Sequence, residues 1–303
     1  MLKFLPPSVK GVVVCVGMGL HTMVWVPLLL LASLFKFLLP LSSWRRGMTQ
    51  VLIAIAELWM GCNNFLQRQT QSTRWQVDGV ADLKHDGWYF VTSNHQSWSD
   101  ILVLQRVFNR RIPMLKFFLK QELIWVPFMG MAWWALDFPF MQRFSREYLQ
   151  AHPEMAGKDL EATRKACEKF RHVPVSVVNF MEGTRFTQDK HDAQASPYQH
   201  LLKPRAGGSS FVLSAMGEQM HSLLDVTIYY PGTRHSFWDF VTGRIEQIVV
   251  HVESKELPVE LIVGDYENDP VFRQKFQSWV NQLWQDKDAL LARLSVGLQA
   301  AAR

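Results

Sequence analysis

The chain is poor in cysteine and in charge. Its three cysteines, Cys15, Cys62 and Cys167, lie far apart with no paired spacing, which excludes a disulfide framework and a cysteine-built zinc site; reduced thiols are expected. Charged residues are 19% of the 303 positions, below the roughly 25% usual for soluble domains. Because 48% of the chain is hydrophobic, extended disorder is excluded too. There is no internal repeat and no low-complexity tract. A mean hydropathy of -0.03 excludes a protein built mostly of membrane spans and leaves room for one.

The missing charge is localised. Residues 11–35 contain no Asp, Glu, Lys or Arg, and as a helix they would reach roughly 37 Å, more than the hydrocarbon core of a bilayer. The stretch is longer than the apolar part of a signal peptide and no small-x-small site follows it, so a retained membrane segment is expected. Lys3 and Lys10 precede it, and Lys36, Arg45 and Arg46 follow it. Positive charge at both ends favours a re-entrant or interfacial hairpin over a plain span, with Gly17, Gly19 and Pro27 as bend points. A second apolar stretch, 48–66, is interrupted by Glu57 and carries Trp59; it reads as a helix in the interface or as a core helix of the globular part.

Beyond about residue 70 the composition is that of a globular domain, so the expected division is 1–70 as a membrane-anchoring helical region and 71–303 as a second domain. Strands are expected over 88–93, 175–181, 224–230 and 244–252, and helices over 101–108, 158–171 and 208–218. Residues 135–141 form a short aromatic run, 187–204 a long irregular loop, and the C-terminal segment an amphipathic helix or helix pair. Strands alternating with helices predict an α/β fold with a mainly parallel or mixed sheet flanked by helices.

Two strings carry chemistry. The first, Asn94-His95-Gln96-Ser97-Trp98-Ser99-Asp100, lies between an expected strand and an expected helix, where ligand and catalytic groups of α/β sheets gather. Asp100 in the first helical turn can return to the imidazole of His95; a carboxylate holding one ring nitrogen leaves the other to accept a proton from an alcohol. Ser97 with Asp100 equally fits an N-cap and its N3 acid, with His95 an ordinary loop residue. The second string, Phe180-Met181-Glu182-Gly183-Thr184-Arg185, ends a strand with a close-approach backbone, a hydroxyl and a guanidinium fork, a set that suits a phosphate monoester or, alternatively, a turn with a surface ion pair.

In this order, 87 residues apart from His95 to Glu182, the two strings resemble the lysophospholipid acyltransferase family, the glycerolipid enzymes typified by 1-acylglycerol-3-phosphate acyltransferase. The resemblance covers roughly residues 85–235, with His95 to Asp100 similar to the family's Asn-His-x4-Asp block and Phe180 to Arg185 similar to its Phe-x-Glu-Gly-Thr-Arg block. Two weaker blocks follow less closely: Phe138 to Arg143 keeps the basic residue but has Gln142 in place of the acid, and Val226 to Pro231 has tyrosines where smaller aliphatics are usual.

The resemblance implies an O-acyltransferase that moves a fatty acyl group from acyl-CoA or acyl carrier protein to the free hydroxyl of a lysophospholipid, first of all 1-acyl-glycerol-3-phosphate to give phosphatidic acid. Lysophosphatidylglycerol or another lysophospholipid is the alternative acceptor. It implies His95 and Asp100 as the catalytic pair, and Glu182, Gly183, Thr184, Arg185 and Arg143 as holders of the acceptor phosphate. Asn94, Lys116 and Lys120 are further donor or acceptor contacts. No cofactor and no metal are expected, and the bilayer is the expected partner, with the catalytic domain on the cytoplasmic face of the inner membrane. A non-catalytic basic membrane-surface or nucleic-acid-binding protein is the reading from another class, but +5 with dispersed basic residues is modest for nucleic acid.

Overall fold

The computed structural model describes residues 2–141, 152, 170, 173–216, 219–220, 222–232, 235–262, 264–266 and 268–301. Two long helices come first, α1 (Pro7–Leu38) and α2 (Ser42–Thr70). The indole N–H of Trp59 donates to Thr22 Oγ1 at 2.9 Å and that of Trp44 to the Phe35 carbonyl at 2.9 Å, so the helices run antiparallel. The apolar segment 11–35, expected to fold back on itself, is instead part of one unbroken helix, and the hairpin is made by α1 with α2. Pro27 sits inside an unbroken helix, and the chain reverses at 39–41, where Leu39 turns extended one residue before Pro40. Gly17 is a packing residue instead: a Cβ there would come within 2.8 Å of Leu66. By length and composition α1 can cross a membrane, and only 17% of its most apolar window is buried.

The sheet has six strands in the order β1-β8-β7-β2-β6-β3: β1 (Arg74–Asp78), β2 (Tyr89–Ser93), β3 (Leu115–Phe117), β6 (Ser176–Asn179), β7 (Ser222–Tyr229) and β8 (Gln247–Glu256). Every pairing is parallel except β7 with β8, so the sheet is mixed. Strand β2 is buried along its whole length, which is why Tyr-Phe-Val-Thr-Ser reads as a continuous run rather than an alternation. A separate parallel pair joins β4 (Leu119–Lys120) to β5 (Phe140–Met141), inside the aromatic run expected over 135–141.

Helices cover both faces. On one, Leu224, Val226 and Ile228 of β7 pack with Val103, Leu104 and Val107 of α3 (Ser99–Phe108), and Val14 of α1 joins the same core. The hairpin is therefore packed into the globular core as well as exposed. A third apolar cluster joins α1 and α2 to α4 (Met129–Ala135). Two short helices follow β6: α5 (Gln188–Ala193), within the loop expected over 187–204, and α6 (Ala206–Met216). After β7 come α7 (Phe237–Val241) and a single C-terminal helix, α8 (Pro270–Ala301), which starts with Pro270 at its first position and Asp269 Oδ1 accepting from the Val271 and Phe272 N–H groups. Helix α8 lays Phe276, Val280 and Trp284 on the second face and sends the fully buried Lys287 to Asp225 Oδ1 (2.5 Å) and the Val226 carbonyl (2.7 Å) of β7. The helix expected over 158–171 lies outside the described residues, Phe170 apart.

Candidate active site

Three adjacent parallel strands, β7, β2 and β6, end at one edge of the sheet, and their C-terminal residues build the site. After β2, Asn94 donates through Nδ2 to the Ile228 carbonyl (2.9 Å) and accepts the Ile228 N–H (2.8 Å). The amide is fully buried, and each end of it bonds to Ile228 on β7. It ties the loop that carries His95 to the sheet.

Asp100, in the first turn of α3 and fully buried, reaches back as anticipated. Its Oδ2 takes His95 Nδ1 at 2.8 Å together with the Gln96 N–H (2.6 Å) and the Ser97 N–H (2.8 Å). The capping and catalytic readings of this residue thus describe one set of bonds. Its Oδ1 accepts from the Tyr230 hydroxyl at 2.6 Å. Two of these donors are backbone N–H groups that cannot reverse role, so Oδ2 acts as an acceptor toward His95 as well. The imidazole then donates from Nδ1, and its Nε2 carries the lone pair. Burial first, then the Asp100 charge, pushes the Tyr230 phenol well above its ordinary value, so it stays a neutral donor. The sequence placed this tyrosine at the end of an expected strand and gave it no role; the signal was a buried strand-end tyrosine, whose hydroxyl must find a partner.

The second motif grips the first. Glu182 Oε1 accepts the His95 N–H (2.8 Å), its Oε2 accepts the Leu202 N–H (3.1 Å), and the Phe186 N–H donates to the His95 carbonyl (2.7 Å). Phe180 stacks on the imidazole at 4.1 Å between ring centroids. With both oxygens turned inward and only 1% of the residue exposed, Glu182 clamps the backbone at His95 and Leu202. Gly183 has φ +68°, the left-handed turn that needs glycine. Thr184 accepts from Lys190 Nζ at 2.8 Å; Lys190, in α5, also donates to the Arg185 carbonyl (3.0 Å) and is a second cation beside Arg185 that the motif did not reveal. The Arg185 guanidinium lies 4.9 Å from the centre of the Trp98 ring, and no carboxylate pairs with it among the described residues.

His95, Trp98, Gly183, Thr184 and Arg185 stand at one cavity of about 590 Å³. Its other walls are apolar: Trp25 and Leu29 of α1, Ile55 and Met60 of α2, and Phe117, Leu123 and Trp133 from the segments around β3 and α4. Lys120 lines it too. Lys116 does not: its ammonium is buried against the Leu136 carbonyl and 4.9 Å from the Phe138 ring centre, and desolvation pulls it down to about 7. It is a structural group rather than the substrate contact expected. Arg143 lies outside the described residues. Among the described residues no three His, Cys, Asp or Glu side chains cluster as a metal site.

The sequence profile of the family described as Acyltransferase matches residues 74–231, from the start of β1 to just past Tyr230. The chain belongs to the acyltransferase family. Its relatives include the 2-acyl-1-lysophosphatidylinositol acyltransferase of Saccharomyces cerevisiae, 24% identical over 220 residues covering 58% of this chain and 53% of that one. The 1-acyl-sn-glycerol-3-phosphate acyltransferase gamma of Homo sapiens is 26% identical over 183 residues, covering 56% and 43%. The chain thus spans about half the length of the curated relatives it matches. The crystal structure of the 1-acyl-sn-glycerophosphate (LPA) acyltransferase, PlsC, from Thermotoga maritima shares the fold, with a TM-score of 0.55, 16% identity, and coverage of 95% of this chain and 98% of that one.

In this acyltransferase the Glu182 clamp is sensitive to pH. Burial raises its carboxyl from 4.5 to about 7, against the opposing pull of the His95 and Leu202 N–H groups. Between those values the folded chain keeps a proton that the unfolded chain has lost, so this group's contribution to stability is full below about 4.5 and is lost as pH passes 7. Glu182→Gln cannot titrate and sets an amide nitrogen against a backbone N–H. Thermal unfolding should show the variant below wild type at pH 5, with the gap narrowing toward pH 8; a gap that widens with pH contradicts the assignment.

Proposed function

We propose that the chain transfers a fatty acyl group from a thioester, acyl-CoA or acyl carrier protein, to the free hydroxyl of a lysophospholipid, in the first place 1-acyl-glycerol-3-phosphate. The observation that carries this is the Asp100–His95 pair at the mouth of an apolar cavity of about 590 Å³ whose rim holds the carboxylate-free Arg185. The volume lies within the range of ligand pockets, and the lining suits hydrocarbon. The names of the relatives, acyltransferases of a lysophosphatidylinositol and of an acylglycerol phosphate, agree in the kind of acceptor.

On this reading the acceptor's phosphate sits against Arg185 and Lys190, and its hydroxyl faces His95 Nε2. The imidazole takes the hydroxyl proton while the oxygen attacks the thioester carbonyl carbon. The tetrahedral intermediate collapses with rupture of the C–S bond, and the thiolate leaves with the proton returned by the imidazolium, whose charge Asp100 offsets. The exposed apolar side of α1 holds the enzyme in the bilayer, and soluble thioester donors place the domain on the cytoplasmic face of the inner membrane.

His95→Ala should lower turnover by about 10²–10⁴-fold with the fold intact. Arg185→Ala should act mainly through the acceptor, raising its KM with a smaller change in kcat. Both are read by thiol release from acyl-CoA and by analysis of the lipid product. Normal turnover by a folded His95 variant, or an unchanged acceptor KM for the Arg185 variant, contradicts the roles given.

A further inference from the structure

Away from the active site, where α2 leaves the hairpin and α3 ends, Arg68, Arg106 and Arg111 line a hollow of about 210 Å³ together with Asn64 and Asn109. Among the described residues no carboxylate lies within ion-pair distance of any of the three guanidinium groups. Glu57, the acid in this part of α2, is engaged by His85 (3.1 Å) and Arg110 (3.7 Å). Arg106 stacks on Trp75 at 4.0 Å and Arg111 donates to the Val107 carbonyl at 2.9 Å, so both are held in place. Burial, with the Arg68 charge adding to it, depresses Arg106 to about 10, which leaves it a cation at neutral pH. One cation here is accounted for by the negative end of the α3 dipole; three, of which Arg106 is half-buried and repelled by the exposed Arg68, are not. Three guanidinium forks without a counter-charge are complementary to a phosphate.

The hollow continues into a second one. Gly61 and Phe65 belong to its wall and also to that of a mostly apolar groove of about 440 Å³ between α1 and α2, lined further by Gly17, His21, Leu58, Cys62 and Leu66 and by Arg110, which pairs with Glu57. A cationic pocket opening into an apolar groove, on helices whose outer side is apolar, matches a molecule with a phosphate at one end and a hydrocarbon chain at the other. We propose that Arg68, Arg106 and Arg111 bind the phosphate of an anionic membrane phospholipid, one of whose acyl chains lies in the α1–α2 groove, at a site separate from the active-site cavity.

The test uses the full chain purified in a neutral detergent, with lipid retention measured by native mass spectrometry. Dioctanoyl phosphatidylglycerol is the probe, dioctanoyl phosphatidylcholine the zwitterionic control and inorganic phosphate the competitor. Wild type should retain phosphatidylglycerol roughly tenfold more tightly than phosphatidylcholine. Arg185→Gln should keep that preference, since it alters only the active-site rim. Arg68→Gln/Arg111→Gln should abolish it with an unchanged circular dichroism spectrum, and Arg68→Gln alone, at an exposed side chain, should weaken it in the same direction. Equal retention of the two lipids, loss of the preference in Arg185→Gln, or an unaltered preference in the Arg68 variants overturns the proposal. Displacement by inorganic phosphate at the same concentration as the lipid also overturns it, by making this a site for the free anion.

Discussion

One buried carboxylate organises this molecule's chemistry. Asp100 gathers the His95 ring, two backbone N–H groups of its own loop and the Tyr230 hydroxyl at the end of β7. A buried carboxylate without such donors would be strongly destabilising, so the site has to be assembled from several elements before the charge can be held there. Asn94, pinned to Ile228 on the same strand, and Glu182, pinned to the His95 backbone, fix the frame within which the carboxylate and imidazole meet. Strand β7 is itself held from the far side of the sheet by Lys287 through Asp225 and the Val226 carbonyl. The orientation of one imidazole therefore depends on three strand ends and on the C-terminal helix.

The hairpin has two roles that share a physical cause. Apolar side chains on its outer side, such as Leu20 and Leu34, are exposed, while Trp25, Leu29, Ile55 and Met60 on its inner side wall the cavity at which His95 stands. Hydrocarbon is the favourable surrounding on both sides.

Much of this was legible in the sequence, and what was not has identifiable reasons. The five-residue interval from His95 to Asp100 sets an intra-loop distance, and local geometry follows from local sequence. The continuous apolar runs at β2 and β6 marked buried strands for the same reason. Long-range pairings carried no such mark. Tyr230 stands 130 residues from Asp100, and its role depends on β7 lying beside β2. Glu182 looked like a phosphate ligand because a carboxylate next to an arginine is ambiguous in sequence; only its inward rotamer shows that it holds backbone. Lys116 looked like a surface charge near the acceptor and is buried against Leu136. Pro27 marked a bend that did not occur, because a proline removes only one N–H from a long helix packed against a partner. The reversal fell at Pro40 instead.

In the proposed reaction Asp100 acts as a charge behind His95. Asp100→Asn removes that charge: the Gln96 and Ser97 N–H groups keep an oxygen turned toward His95, so the ring orientation survives, while the amide nitrogen faces Tyr230, whose hydroxyl turns to accept. Acyl transfer from labelled acyl-CoA to 1-acyl-glycerol-3-phosphate should be slowed by roughly 10²-fold or more, with the acceptor KM little changed. Turnover by the folded variant equal to that of the unsubstituted chain would contradict that role.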